Sequence, residues 1–228
     1  MVTAARRLIA IAGCALFGLI GAPAEAKTDG QQRVVERARL ALDSFLDDPQ
    51  FQYMRVYVQN AYAVLIVPEM LKAGFFFGAE YGVGVLLVRD PQSGNWGQPA
   101  FYSLYGGSFG VQVGGTMSDM VFTIMNEGAV NQLISNNVQF GGDMGMAFGR
   151  VGLGVGAGTT TQFGEDVYAF SKSKGLYGGV TLDGTVVAPK HDWNEAYYGR
   201  PVDPKQIVRE SAASRTEVAA LHQSLTRF

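Results

Sequence analysis

Glycine recurs at every second position inside apolar segments, and this pattern restricts the fold more than any other feature of the sequence. The clearest example is residues 152–156, which read Gly-Leu-Gly-Val-Gly, and 30 of the 228 residues are glycine. That is about twice the average usage of roughly 7%. Glycine inside strands allows sharp bends and close approach of neighbouring backbones. The pattern therefore predicts a strongly curved or barrel-like sheet.

The periodicity of apolar residues changes from helical to strand-like and back to helical along the chain. Residues 31–47 have an apolar face at helical spacing, and Pro49 ends this predicted helix. Residues 61–199 form a predicted β-rich core that contains one internal helix at 127–136. Residues 204–225 are predicted to form a C-terminal helix. This order favours an α+β fold with a mostly antiparallel sheet.

Several strands of the core can be placed from their apolar runs. Residues 61–67 are continuously apolar and are closed by Pro68, which predicts a buried strand. Residues 81–88 and 167–171 predict two further strands. Residues 176–187 predict another, with a turn at Asp183-Gly184. The continuous runs argue against an outer-membrane barrel, whose strands alternate apolar and polar residues.

Composition and motifs exclude several classes of function. The formal charge is −2, from 18 Lys and Arg against 20 Asp and Glu, which does not suit a general nucleic-acid binder. One Cys and 2 His are too few for a His/Cys zinc site. No phosphate-binding loop, zinc-protease motif or calcium-binding loop is present. We therefore predict no cofactor and no metal.

The first residues have the features of a secretory signal peptide. Arg6 and Arg7 precede an uncharged run at residues 8–20, which is too short to span a bilayer. Ala24-Glu25-Ala26 has the small-x-small form of a cleavage site. We expect residues 1–26 to be removed and residues 27–228 to form a single exported, periplasmic domain.

A lipoprotein signal is the alternative in the same segment. Ile11-Ala12-Gly13-Cys14 resembles a bacterial lipobox, in which an acylated Cys14 would anchor the protein to a membrane. Only six residues separate Arg7 from Cys14, and the chain stays apolar after the cysteine. These two observations favour soluble export over lipid anchoring.

A serine-hydrolase pattern also occurs. Residues 106–110 fit Gly-x-Ser-x-Gly, and Asp183 and His191 follow in the order of α/β-hydrolases. That motif needs a strand–turn–helix context, whereas the flanks here are strand-like and rich in glycine. We therefore predict no catalytic residue and no enzymatic activity.

Seven segments of the predicted core together resemble one known family. They are residues 60–68, 72–75, 81–85, 96–101, 106–114, 171–184 and 197–199. In this order and spacing they resemble the SYLF family, also called the Ysc84 or DUF500 family. The longest matching segment, residues 171–184, reads Ser-Lys-Ser-Lys-Gly-Leu-Tyr-Gly-Gly-Val-Thr-Leu-Asp-Gly.

The resemblance implies binding of phospholipid. Members of this family are linked to phospholipids, notably phosphoinositides in eukaryotes, and bacterial members are exported. The N-terminal amphipathic helix is implicated in lipid contact, and residues 31–47 are the comparable element here. We therefore expect non-catalytic binding of phospholipid or a membrane surface in the bacterial cell envelope.

The predicted helix at 31–47 supplies one group of candidate lipid contacts. Its apolar face would enter the lipid interface while Arg33, Arg37 and Arg39 contact phosphates. The alternative is that the apolar face packs on the sheet.

Residues 171–175 supply a second group of candidates. At strand spacing Lys172 and Lys174 point the same way, beside two serine hydroxyls, and could bind a phosphate. Lys72 would extend such a patch. The alternative is a solvated strand edge, where lysine discourages pairing with other chains.

Two other binding functions remain open at this point. The domain can be a structural or protein-interaction module of the periplasm or outer membrane, with an envelope protein as its partner. It can also hold an apolar ligand inside the curled sheet.

Overall fold

The computed structural model of the chain describes residues 25–74, 77–109, 114–148, 165–174, 182, 184–209 and 218–228. Within these residues the helices are α1 (Glu25–Leu46), α2 (Met54–Asn60), α3 (Glu127–Ser135), α4 (His191–Tyr198), α5 (Pro204–Arg209) and α6 (Ala219–Thr226), with a 3₁₀ turn at Pro49–Phe51. The glycine-alternating residues 152–156 lie outside the described residues.

The described strands form one eight-stranded sheet. They are β1 (Ala63–Gly74), β2 (Phe77–Val88), β3 (Ala100–Phe109), β4 (Gly114–Ile124), β5 (Val138–Gln139), β6 (Met146–Phe148), β7 (Val167–Lys174) and β8 (Val186–Pro189). Their order is β5-β8-β3-β2-β1-β4-β7-β6. Neighbours are antiparallel except β6 and β7. The sheet curls into a half-barrel, which confirms the predicted α+β class.

The centre of the sheet is buried on both faces. Val64 and Ile66 of β1 pack with Leu42 of α1 in one apolar core. Leu65 and Val67 face the opposite way and belong to a second core, which includes residues of α3 and α5. Strands covered on both faces read as continuous apolar runs, which explains the pattern at residues 61–67.

Helix α1 confirms the first predicted element and resolves its alternatives. It begins at Glu25, six residues before the predicted start, and ends at Leu46. Val35, Leu42 and Phe45 are each no more than 1% exposed and pack in the core. The apolar face of α1 therefore covers the sheet and is not presented to solvent.

Strand β1 does not end at Pro68, as the sequence predicted, but continues to Gly74 through a β-bulge. Val67 pairs with Met120, whereas Met70 pairs with Ser118, so β1 has one residue more than β4 here. Proline lacks the N–H donor of a ladder, and a bulge is one place where a strand tolerates it. The extra residue reverses which face each later side chain of β1 occupies.

The bulge contains a residue in the left-handed region of backbone conformation. Glu69 has φ 54°, a conformation that costs a non-glycine residue of the order of 1 kcal/mol. The Glu69 N–H donates to the carboxylate of Asp119 at 3.0 Å, and Asp119 is only 5% exposed. This hydrogen bond satisfies a backbone donor that the bulge removes from the ladder.

Gly84 of β2 makes the bulge sterically possible. A Cβ atom at this position would lie 2.4 Å from the carbonyl oxygen of Ile66 and 2.8 Å from Cγ2 of Val67. Strands β1 and β2 therefore approach more closely beside the bulge than any side chain would allow.

Helix α4 was not predicted, because the sequence assigned residues 61–199 to a β-rich core with one internal helix at 127–136. The helix is attached to β3 by Asn194, which is fully buried. Its Oδ1 accepts from the N–H of Phe101 at 2.7 Å. The polar Asn194 at a buried position interrupts the apolar periodicity of this short helix.

The C-terminal region contains two described helices where the sequence predicted one helix at 204–225. Helix α5 ends at Arg209 and α6 begins at Ala219, and residues 210–217 lie outside the described residues. Residues 175–181 and 183 of the predicted strand 176–187 also lie outside them, while β8 covers Val186–Pro189.

Candidate functional site

Four exposed apolar side chains form a row across four neighbouring strands. Tyr105 pairs with Tyr81, Tyr81 with Leu71, and Leu71 with Met117. Directly opposed residues share one face of a sheet. The four side chains are between 40% and 52% exposed. We call this set the apolar row.

The next row on the same face consists of small residues. Gly107 pairs with Ala79, Ala79 with Ala73, and Ala73 with Gly115. All four residues are exposed. We call them the small row, because the sheet surface there rises no higher than a methyl group. The two rows lie side by side across the strands, and we call them together the trough.

The trough lies on the face of the sheet that α1 covers, just beyond the helix. Counting by twos from Tyr105 leads to Phe101, and from Met117 to Val121, and both belong to the core beneath α1. Leu71 reaches this face only because of the bulge at Pro68-Glu69. The local strand irregularity thus completes the apolar row.

One flank of α1 borders the trough. Arg37 makes an ion pair with Glu69 of the bulge, two residues before Leu71. Leu40, at helical spacing from Arg37, is 52% exposed. Ser44 follows one turn later, and its carbonyl oxygen accepts from Lys172 of β7 at 2.9 Å. This flank adds one more apolar side chain near the row.

The three candidate arginines of α1 are all engaged in ion pairs. Arg33 pairs with Asp29 four residues earlier. Arg39 pairs with Glu36 and Asp43, both at 2.6 Å. The hydrogen bond from Arg39 lowers the pKa of Glu36. Arg37 borders the trough, whereas Arg39 lies with Asp43 on the flank that contacts α6.

The two candidate lysines of β7 lie near the end of the apolar row. Lys172 pairs with Asp48 at 3.0 Å, and this contact, with the N–H of Gln50, lowers the pKa of Asp48. The backbone of Lys174 pairs with that of Met117, so Lys174 occupies the position on β7 that continues the apolar row beyond Met117. The side chain of Lys174 lies outside the described part of the structure.

Lys72 does not lie near the other candidate lipid-binding residues. It points to the opposite face of the sheet and pairs with Glu80 at 2.6 Å. Glu80 is 9% exposed and also accepts from the hydroxyl of Thr185. The contact ties β1, β2 and the segment before β8 together, which gives Lys72 a structural environment.

The hydrolase pattern has no matching context. Ser108 lies in β3, where it pairs with Gly78, and the next described element is the strand β4, so no helix follows it directly among the described residues. His191 is the first residue of α4, and Asp183 lies outside the described residues. Among the described side chains, no group of three or more His, Cys, Asp or Glu is placed to hold a metal ion.

A cleft of about 300 Å³ lies between the end of β2 and α3, bounded by Arg89, Glu127 and Val130. Arg89 is used structurally. Its guanidinium donates to the carbonyl oxygens of Gln59 and Val58 at the end of α2, at 2.5 and 3.0 Å, and lies 4.4 Å from the ring centre of Trp96. Burial lowers the pKa of Arg89.

A model of the Ysc84 family, described as Las17-binding protein actin regulator, matches residues 105–228, which is just over half of the chain. The chain belongs to the Ysc84 family. This confirms the resemblance stated from the motifs. The matched part runs from Tyr105 of the apolar row to the last residue, and it includes β4, β7 and α6.

Curated members of the Ysc84 family extend the match towards the N-terminus. Protein YSC84 of Saccharomyces cerevisiae is 30% identical over 180 residues, which cover 76% of this chain and 38% of the relative. LAS seventeen-binding protein 3 of the same species is 31% identical over 147 residues, 63% of this chain and 32% of the relative. SH3 domain-containing YSC84-like protein 1 of Xenopus laevis is 29% identical over 166 residues, 72% and 49%. The chain thus spans less than half the length of these relatives.

Sequence reasoning missed the apolar row as a site. The predicted strand at residues 61–67 ended at Pro68, so Leu71 was not assigned to it. The available signal was the alternation of large and small residues at 71/73, 79/81 and 105/107. That signal requires the register between strands, which a single sequence does not supply.

No described helix combines the length and apolar character needed to cross a bilayer.

Proposed function

We propose that this Ysc84-family protein is a non-catalytic binding module that attaches to phospholipid surfaces of the bacterial cell envelope through the trough. The observation that carries the proposal is the apolar row, in which four large apolar side chains in direct cross-strand register are left exposed. Contiguous exposed apolar surface marks sites of membrane or protein interaction.

The apolar row supplies enough free energy for a reversible attachment. Complete burial of a large apolar side chain is worth about 1.5–3 kcal/mol. Each member of the row still exposes about half of itself, so insertion into lipid is worth about 1 kcal/mol per side chain. Four such contributions amount to about 4 kcal/mol, roughly a thousandfold in partitioning.

Cations near the trough add an attraction to anionic lipid. Arg37 is engaged with Glu69 and Lys172 with Asp48, and pairs at the protein surface are worth only about 0–1 kcal/mol. Exchange of such a partner for a lipid phosphate therefore costs little. This contribution is local and is weakened by salt.

The proposed location in the cell envelope rests on residues 1–26. Their charged start, uncharged run and small-residue cleavage site support export to the periplasm. In that compartment the accessible surfaces are those of the inner and outer membranes.

A protein-binding function is the second candidate, and the relatives' names favour it. The family description and LAS seventeen-binding protein 3 both name a protein partner. Exposed tyrosines are frequent in protein interfaces. The same trough would then receive an envelope protein.

Co-sedimentation with vesicles separates the two candidates. Phosphatidylcholine vesicles are compared with vesicles containing phosphatidylglycerol at low and high salt. The test variant Leu71→Ser/Tyr81→Ser removes two members of the apolar row, and the control Val56→Ser/Tyr62→Ser removes two exposed apolar side chains elsewhere.

We expect the test variant to bind about 30-fold more weakly, because about 2 kcal/mol of burial is lost. The control variant is expected to bind like the parent. Failure of the parent protein to bind any vesicle, or equal losses in both variants, would reject lipid attachment through the trough and favour the protein-binding candidate.

A further inference from the structure

We propose that the small row is the seat of a single hydrocarbon chain of a bound lipid, which lies across the strands with the apolar row as its wall. This inference rests on the proposed function and names the part of the lipid that the trough recognises. It differs from the phosphate-led binding expected from the motifs.

The length and the residues of the floor fit a linear apolar group. The floor consists of two glycines and two alanines, one on each of β3, β2, β1 and β4. With strands about 4.8 Å apart, the floor extends for roughly 14 Å across the sheet. Tyr105, Tyr81, Leu71 and Met117 rise along one side of it.

The hydrogen-bonding state of the two central strands of the floor favours hydrocarbon over a polypeptide. Along this stretch β1 is paired with β2 and β4, and β2 with β1 and β3. Their backbone donors and acceptors are therefore consumed within the sheet. A peptide lying across the strands would leave its own N–H and C=O groups without partners, which is costly in an apolar contact. A hydrocarbon chain has no such groups.

The charge distribution also complements an uncharged occupant. None of the eight residues of the trough carries a formal charge. The described charges at its border are neutralised within the protein, Arg37 by Glu69 and Lys172 by Asp48. The floor therefore has no charged side chain that could bind a phosphate, and its small uncharged residues can contact methylene groups. The headgroup of the lipid would remain at the border of the trough.

Two positions of the small row can receive a larger side chain that would occupy the space proposed for the hydrocarbon chain. Ala73 is exposed at the centre of the floor. Gly115 has room for a Cβ atom, whose nearest neighbour would be the carbonyl oxygen of Lys72 at 3.8 Å. Ala73→Leu and Gly115→Leu are therefore expected to fold. Ala220→Leu, at an exposed alanine of α6, is the matched control.

The test uses the protein as the producing cell processes it and two soluble probes. One probe is myristoyl-lysophosphatidylglycerol below its micelle concentration, and the other is glycerophosphoglycerol, which has the headgroup without the chain. We expect binding of the first probe only. Shortening its chain is expected to weaken binding about fourfold per methylene, from about 0.8 kcal/mol each.

We expect Ala73→Leu and Gly115→Leu to weaken binding of the myristoyl probe at least tenfold, and Ala220→Leu to leave it unchanged. Circular dichroism and thermal unfolding establish whether each variant folds. If one of the two filled variants does not fold, the binding of the other filled variant tests the inference. Unchanged binding in a folded filled variant, or equal binding of the headgroup alone, would overturn the inference.

Vesicle binding distinguishes this inference from the proposed function. A parent protein that binds vesicles but not the myristoyl probe would overturn the hydrocarbon seat and leave membrane attachment standing. A protein that binds the probe and loses it in Ala73→Leu, but ignores vesicles, would overturn membrane attachment and leave a lipid-chain binding protein.

Discussion

Replacing Gly84 with alanine tests whether the bulge that completes the apolar row depends on close approach of two backbones. The new Cβ atom would lie 2.4 Å from the carbonyl oxygen of Ile66, 2.8 Å from Cγ2 of Val67 and 3.1 Å from the carbonyl carbon of Ile66. Backbone atoms of a central strand pair cannot rotate away as a flexible side chain can. The substitution must therefore push β1 and β2 apart.

The expected loss of stability follows from this overlap. Inserting atoms into a packed interior costs typically 1–3 kcal/mol, and an obstacle made of backbone places Gly84→Ala near the upper end. The better strand preference of alanine offsets about 0.5–1 kcal/mol of that. A net loss of about 2 kcal/mol corresponds to a melting temperature lowered by about 4–8 °C in a chain of this size.

Gly107→Ala is the matched control in the neighbouring strand. The nearest obstacle to its Cβ atom is the carbonyl oxygen of Gly78 at 3.7 Å, an ordinary contact. Its free energy of unfolding is expected to stay within about 0.5 kcal/mol of the parent. Thermal and denaturant unfolding measure both variants, and equal stabilities would refute the argument that close approach at Gly84 holds the bulge.

Three further predictions concern the contacts that hold the site in place. Asp119→Ala should lower the free energy of unfolding by about 1–3 kcal/mol, measured by denaturant unfolding, because the Glu69 N–H loses its acceptor; no change would show that the bulge does not need this carboxylate. Asn194→Ala should cost a similar amount of about 1–3 kcal/mol, measured in the same way, since the buried N–H and carbonyl oxygen of Phe101 both lose their partner; an unchanged free energy of unfolding would contradict the assignment. The pKa of the Asp48 carboxyl is lowered by Lys172 and by the N–H of Gln50, so the contact between Asp48, which follows α1, and Lys172 of β7 should persist above the ordinary pKa of aspartate and weaken as the pH falls through the lowered value. Carboxyl NMR titration of Lys172→Met should show the pKa of Asp48 rising towards its ordinary range, and an unchanged value would refute the role of Lys172.

The fold class followed from the sequence because its two determinants are local. The helical spacing of apolar residues in α1 and the glycine-punctuated runs of β1 to β4 are readable residue by residue. Helix α4 was not predicted, because its buried positions include a polar residue, Asn194. The hydrogen-bond partner of Asn194 is a backbone group 93 positions away in the sequence. A pattern of apolar residues carries no information about such a contact.

The candidate site was only partly predictable for a related reason. The sequence placed Lys172 and Lys174 at a strand end, and the structure has both on β7. It also named Arg37 on the predicted helix, and Arg37 borders the trough. It further suggested Lys72, which the bulge turns to the opposite face, towards Glu80. The phase of β1 after Pro68 depends on one extra residue, and a shift of one residue exchanges the two faces of a strand.

The most direct test of the account is to ask which surface enters lipid. An environment-sensitive fluorophore is attached to cysteine at position 71 in Leu71→Cys, or at position 56 in Val56→Cys as control, both in a Cys14→Ser background. On addition of vesicles containing phosphatidylglycerol, the label at position 71 is predicted to brighten and shift to the blue, while the label at position 56 stays unchanged. A response at position 56 without one at position 71 would contradict attachment through the trough.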